Sequence, residues 1–513
     1  MTFFYHLFKA AIATCMLLGS TAVAMGYDFE SDGIYYQVND DRQTVSVTND
    51  GVDYGLNWST CYHDTVTIPS QVIHGDKTYR VTAISKGAFA MCLYTKRVNL
   101  PSTIQEIGDS AFYFCCRMTS INLPEGITAI NDFTFDHCYA ITGLRLPNTL
   151  MAIGKNAFYA GCADTTLVIP NSVTSIGQEA FACCGNLRDI NFGDGIKNIG
   201  NTAFRSCSGL TQLNLPRSLE SIGDGAFMNC TRLTSIEIPE GVTHIGSGAF
   251  QACENLTRMT VAAGNTALDA REDCNAIIET ATGTLVAGCI ATVIPQSVTA
   301  LGDGAFLECV GLSQIDIPPT VTRIGNDTFN SCYHLQSITL PSTLESIGRS
   351  AFAGCEQLVS LDIPDAVNTI GDYAFFDCPW LCHVSLGRSL KLIGSHCFDG
   401  CDLATVTSNA SIPPVMADST SFERYGIFSH ATLRVPAPQV TVYRSTDYWN
   451  RFPQVIAWGD INDDDQADIN DVTMLIDSIL TGSAVDPRIA DITNDDNVDI
   501  NDVTTLIDYL LGY

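Results

Sequence analysis

Phenylalanine recurs every 23 residues through the middle of this chain. Phe89, Phe112, Phe135, Phe158, Phe181, Phe204, Phe227 and Phe250 keep that step, and Phe306, Phe329, Phe352, Phe375 and Phe398 resume it after an interval of 56. That interval is one ordinary step plus one of 33, so a single turn carries a ten-residue insertion at about residues 263–288. A fixed period of this length means stacked supersecondary units, none of which can bury its apolar face alone.

Each unit reads Ala-Phe, then Cys three residues on, a Leu-x-x-Ile-x-Leu step, Pro, and finally Ile-Gly, as in Ala226-Phe227, Cys230, Leu233, Ile236, Ile238-Pro239 and Ile245-Gly246. The alternating apolar step predicts one short strand per turn with its apolar side inward. Pro follows that strand at positions such as 101, 124, 239, 318 and 364, where its missing N–H ends the ladder. The Gly after Ile, as at Gly154, Gly177 and Gly200, predicts a turn that needs positive φ, and Asn131 in the same place fits that reading. Ala precedes Phe in ten of the thirteen units, which predicts a position with no room for a larger side chain. The expected fold is a repeat solenoid at residues 82–406, closed by β-rich caps at 25–81 and 407–458.

Twelve of the 21 Cys fall three residues after the Phe and form a column. In-register side chains on parallel turns do not aim their sulfurs at one another, so buried free thiols acting as small hydrophobes are the expectation. Cys274 and Cys289, both by the insertion, are the pair best placed for a disulfide.

The last 55 residues change character. They hold 14 Asp, no Glu, no Lys and one Arg, a net −13 out of −30 for the whole chain. Asp460, Asn462, Asp464, Gln466, Asp468 and Asp471 stand at positions 1, 3, 5, 7, 9 and 12 of a loop. Asp491, Thr493, Asp495, Asn497, Asp499 and Asp502 repeat the spacing 31 residues later. Oxygen side chains at those positions, with a backbone carbonyl at position 7, are what a hard cation with about six to eight oxygen ligands requires. Two calcium ions are expected, and each loop leads into an apolar helix.

These motifs carry two resemblances. The repeat, the insert from Cys274 to Cys289, and flanks such as Thr65-Val66-Thr67-Ile68-Pro69 and Leu433-Arg434-Val435-Pro436 resemble the BspA-type leucine-rich-repeat surface proteins of anaerobic bacteria, roughly over residues 27–457. That resemblance implies adhesion to host or cell-surface ligands without catalysis. Residues 459–513 resemble a type I dockerin, a small α-helical module of paired EF-hand-like loops, which implies calcium-dependent docking to a cohesin-type partner. Thr493 at position 3 of the second loop and Asp465 and Asp496 at position 6 depart from the dockerin pattern, the first marking the weaker site. Positions 10 and 11 help select the cohesin in dockerins and are here Ile469-Asn470 and Ile500-Asn501, identical in both halves, which suggests two rotated binding poses.

Other chemistry is sparse. Met1 to Ala24, with a short apolar run and Ala22-Val23-Ala24, reads as a secretory signal peptide, so a secreted or cell-surface bacterial protein without a membrane span is expected. The acidic balance argues against nucleic acid as a partner. An outward column through Asn191, Asn214, Glu237, Asp316 and Asp362 offers a mixed polar recognition surface. Asp316 and Asp362 are two turns apart, about 9 to 10 Å by strand spacing, near the upper end for an inverting glycosidase. With no aromatic platform in that column, a solvated surface pair is the expectation. His396-Cys397 and Cys382-His383 point to opposite faces, which suits no nucleophile and base pair. The reading is therefore a non-enzymatic, adhesin-like binding protein with a docking tail; the alternatives are a component of a polysaccharide-degrading complex and a simple spacer.

Overall fold

The structure is a computed structural model describing residues 26–50, 62–422, 427–462, 464, 466–493 and 497–511, so the segment read as a signal peptide lies outside the described residues. The chain divides into two compact units, residues 1–184 and 185–513.

In the first unit, strands Phe29–Ser31, Ile34–Val38 and Thr44–Thr48 form an antiparallel meander, and Thr44–Thr48 then runs parallel to Lys77–Ile84. Lys77–Ile84 pairs in parallel with Glu106–Ile107, so the meander hands its sheet to the first solenoid turns. Tyr62 heads the phenylalanine column, its ring 4.4 Å from that of Phe89 and its hydroxyl donating to the Thr48 carbonyl at 2.7 Å. Phe89, Phe112, Phe135, Phe158 and Phe181 then stack with centroids 5.0–5.4 Å apart.

The second unit repeats this arrangement. Its rings stack from Phe204 to Phe250 and again from Phe306 to Phe398. Phe422 extends the column beyond the 23-residue series, 5.1 Å from Phe398. A cluster of Phe428, Tyr443, Trp449 and Phe452 closes it, with Trp449 Nε1 donating to the Pro414 carbonyl at 2.8 Å. Strands Thr405–Ser408, Thr432–Pro436 and Gln454–Trp458 continue the parallel sheet of His383–Leu386, so the expected C-terminal cap consists of further parallel rungs. The insertion forms the antiparallel strands Leu268–Asp269, Ala276–Glu279 and Thr284–Gly288, the last of which rejoins the parallel ladder at Ala300–Leu301.

Three expectations are corrected. Turns have two short strands where one was expected: in addition to segments such as Ser235–Ile238, the Ile-Gly step itself pairs from turn to turn, as Ser221–Ile222 does with His244–Ile245. Two residues of parallel ladder are too short to leave an alternating pattern. Secondly, the glycine of that step has no positive φ at Gly154 or Gly348. A Cβ on Gly348 would lie 2.5 Å from the carbonyl carbon of Gly325 one turn earlier, so close approach between turns is what demands glycine. Asn131 replaces it by donating its side-chain amide to the Ile107 carbonyl (2.7 Å), the bond that Gly154 makes to Ile130 with its backbone N–H (2.8 Å).

Positive φ lies instead two residues before and two after every core Phe, in all thirteen turns, as at Ser110 and Phe114 or Glu308 and Asp327. These left-handed residues alternate with right-handed ones and turn successive amides in opposite directions. Gly225, Phe227 and Asn229 donate to the next turn (2.8–3.0 Å), while Ala226, Met228 and Cys230 donate within their own (2.9–3.3 Å). Every N–H across this stretch is thereby satisfied.

Thirdly, the cysteines do more than fill space. All 19 described Cys are free, and at least nine of the column donate S–H to the preceding turn's Phe carbonyl, such as Cys115 to Phe89 (3.0 Å) and Cys230 to Phe204 (3.4 Å). Burial pushes the Cys230 thiol well above its ordinary pKa, which keeps it a donor. Cys274 and Cys289 are likewise free, each bonded to a backbone carbonyl.

Two substitutions separate the two backbone constraints. Gly348→Ala should cost about 2 kcal/mol or more by forcing neighbouring turns apart. Glu308→Gly should be neutral or stabilise by up to about 1 kcal/mol, because relief of left-handed strain outweighs the added chain entropy. Urea unfolding of the two variants checks this, and equal destabilisation would contradict it.

Candidate functional site

The tail is built on two helices, Ile469–Thr481 and Ile500–Leu511, packed over Val472, Leu475, Ala490, Val503 and Leu506 together with Trp458. Asp468 caps the first helix by accepting from the Asn470 N–H (2.7 Å), and Asp471 completes a capping box by accepting from the Asp468 N–H (2.7 Å). Asp499 and Asp502 repeat both contacts at 2.7 and 2.8 Å.

Asp471 and Asp502 are fully buried and organise their loops in the same way. Oδ1 of Asp471 accepts from Ile461 (2.7 Å) and Asn462 (3.1 Å), and Oδ1 of Asp502 accepts from Ile492 (2.7 Å) and Thr493 (2.9 Å). Within the first loop the Asp464 N–H donates to Asp460 Oδ1 (2.9 Å), and the Gln466 N–H donates to Asp464 Oδ1 (3.0 Å). In the second, the Thr493 hydroxyl lies 3.1 Å from Asp502 Oδ1 and 3.5 Å from Asp491 Oδ1, to either of which it can donate. Asp460 and Asp491 are buried as well, while Asn497 is exposed and Asp499 half-buried. Asp465, Asp495 and Asp496 lie outside the described residues.

Among the described residues no three His, Cys, Asp or Glu are gathered into a metal cluster. The loops' donor set is nevertheless all oxygen. Asn462 Oδ1 is buried with no hydrogen-bond partner, an acceptor that costs free energy unless something electropositive meets it. Buried carboxylates beside such an acceptor fit a hard cation. The remaining predicted tail residues face outward in matched pairs, Ile469 with Ile500 (67% and 62% exposed) and Asn470 with Asn501; Leu480 and Leu511, which were not predicted, form a further exposed pair along the helices.

On the solenoid, Asn191, Glu237, Asp316 and Asp362 point to solvent from strands whose neighbouring residues are buried, and Asn214 is exposed beside the isolated bridge residue Leu213. Asn214 and Glu237 share a shallow cleft of about 350 Å³ with Arg217 and Glu240. Partial desolvation raises the Asp362 carboxyl above its usual range. Cys397 lies in the core, whereas His396 stacks on Tyr373 at 4.9 Å and meets Asp399 at 2.9 Å.

Sequence reasoning missed the turn side of the repeat. Apart from Tyr27, the exposed aromatic residues among those described are Tyr94 and Tyr139 in the first unit and Tyr333 and Trp380 in the second, all four or five positions after a core Phe. Tyr333 borders a cleft of about 410 Å³ lined also by Asn330, Arg349, Glu356, Tyr373 and Phe376. The signal was their common offset from the Phe series, which attention to the strand column passed over.

The profile of the BspA type leucine rich repeat region matches six copies, over residues 59–164, 152–272 and 291–423. A leucine-rich repeat protein of Bacteroides ovatus, known by crystal structure, is 30% identical over 74% of this chain and 94% of its own, with a TM-score of 0.53. A leucine rich cell surface protein of Faecalibacterium prausnitzii is 27% identical over the same shares, with a TM-score of 0.56. The pneumococcal vaccine antigen PcpA, 19% identical over 84% of this chain and 98% of its own, shares the fold at a TM-score of 0.51. No curated protein matches the chain. Among the described residues no helix is long and apolar enough to cross a membrane.

Asp471→Ala removes one buried acceptor from three backbone N–H groups. The expected cost is about 3 kcal/mol, read as a roughly hundredfold loss of amide protection across residues 469–481. Unchanged exchange there would mean that the carboxylate does not organise the loop.

Proposed function

The chain belongs to the BspA-type leucine-rich-repeat family, and from that premise we propose an exported, non-enzymatic binding protein of a bacterial surface, adhesin-like, whose tail attaches it to a cohesin-type partner. Membership of the family is consistent with a binding role, and the F. prausnitzii relative is described as a cell surface protein. Residues 1–24 act as the export signal. The clefts at Asn214 and Glu237 and at Tyr333, with the outward column through Asn191, Asp316 and Asp362, form the recognition faces.

The observation that carries the docking half is the duplication in the tail. Two loops with matching hydrogen bonds hold buried carboxylates, and above them stand matched exposed pairs, Ile469-Asn470 and Ile500-Asn501. Calcium held by Asp460, Asn462, Asp464, the Gln466 carbonyl, Asp468 and Asp471, and by Asp491, Thr493, Asp495, the Asn497 carbonyl, Asp499 and Asp502, would supply the positive charge these oxygens lack. Apolar residues held rigidly at a polar rim are the composition of a protein-binding face.

A second reading, carbohydrate binding within a polysaccharide-degrading assembly, is favoured by the aromatic corner. Tyr94 and Tyr139 lie two turns apart, as do Tyr333 and Trp380, and aromatic rings at regular intervals suit the apolar faces of sugar rings.

Presenting the mature chain to an array of matrix proteins, glycans and type I cohesin modules, with calcium and with EGTA, separates the readings. The proposal expects specific protein ligands and cohesin capture lost in EGTA. Glycans alone, lost in Tyr333→Ala and Trp380→Ala, would favour the second reading. Silence from every arm would leave a spacer and refute both.

A further inference from the structure

The tail has no tether. Only Gly459 separates the last strand of the solenoid sheet, Gln454–Trp458, from Asp460, and Trp458 is buried among the tail's own core side chains. Pro487–Ala490, the short helix leading into the second loop, packs against that strand. The neighbouring strand, Thr432–Pro436, contributes Arg434, which is 4% exposed and pairs with Thr407 on one side and Ile456 on the other.

A buried arginine is costly unless a counter-charge meets it. Arg434 Nη2 donates to the main-chain carbonyl of Asp491 at 2.5 Å, across 57 residues of sequence. Asp491 opens the second loop and Asp502 closes it, and both are buried. The solenoid thus lends a fixed positive charge to the loop that, with Thr493 at position 3, has the poorer set of oxygens.

We propose that Arg434 is a positioning residue for the second loop, a buried cation that holds the chain at Asp491, the loop's first residue, and keeps that half of the tail seated on the solenoid when no metal is bound. The tail is then a fixed end-piece rather than a mobile appendage, and calcium and Arg434 are alternative sources of the charge that closes the loop. Both exposed pairs, Ile469-Asn470 and Ile500-Asn501, remain open to a partner in the seated arrangement. This inference rests on the calcium reading of the loops only for its second half.

Amide exchange across residues 487–511 of the full mature chain tests it. In EGTA the wild-type segment stays protected, and in Arg434→Met protection falls at least about tenfold. Calcium restores the variant to within about twofold of wild type, which loss of packing alone would not allow. Arg434→Lys, which keeps the charge, stays protected in EGTA. The inference is overturned if the wild-type segment is already unprotected in EGTA, if Arg434→Met matches wild type there, if calcium fails to rescue Arg434→Met while still binding, or if the lysine variant behaves like methionine. Should Arg434→Met unfold the solenoid, seen as lost protection at residues 300–400, the wild-type and lysine arms decide. If calcium binds no variant at all, the calcium reading of the loops fails, while the EGTA contrast still decides whether Arg434 seats the tail.

Discussion

The solenoid depends on one alternation of backbone amides. Left-handed residues stand at positions −2 and +2 of every core phenylalanine, and in turns such as that of Phe227 they make successive N–H groups point to the next turn and then back into their own. A tight turn that would otherwise leave buried donors unmet becomes a ladder. The rest follows in order. Turns held at ladder spacing bring the phenylalanine rings within 5.0–5.8 Å of each other, and the same spacing places each column thiol under the previous turn's carbonyl. It also forces glycine, or an asparagine that substitutes for its hydrogen bond, at the Ile-Gly step. Outward residues carry none of this, so their identities are free to form columns and clefts.

How much of this could be read from the residues depended on whether a side chain or the backbone set the constraint. The phenylalanine period, the alanine beside it and the column of cysteines are side-chain constraints, and they announced the stacked turns. The left-handed positions did not, because Ser, Glu, Tyr, His and Asp occupy them as well as Gly, and the hydrogen-bond ladder compensates the strain. The Ile-Gly glycine was legible as special but for the wrong reason: φ and close approach both select glycine, and only the neighbouring turn distinguishes them. Phe422 escaped because it follows Phe398 by 24 residues and sits behind Ser421.

The tail divides along the same line. The spacing of oxygen side chains within a loop is local, so the duplicated pattern was legible in the sequence, and those of its residues that are described lie in two loops with matching hydrogen bonds. Arg434 could not be named, because its contact with Asp491 crosses 57 residues and depends on how the last solenoid strands end. The excess acidity is also clearer: nearly half of the chain's −30 lies in residues 459–513, and the structure buries Asp460, Asp471, Asp491 and Asp502. Four carboxylates taken out of water within one small helical module, against a single arginine from the solenoid, leave a deficit of positive charge that backbone amides meet only in part.

The central claim is that bound calcium makes up that deficit. Calorimetric titration of calcium into the metal-stripped mature chain tests it most directly. The account predicts two binding events of unequal affinity, the weaker assigned to the Thr493 loop, and their loss when Asp471→Ala and Asp502→Ala are combined. A wild-type titration without heat, or one that the paired substitution leaves unchanged, would contradict it.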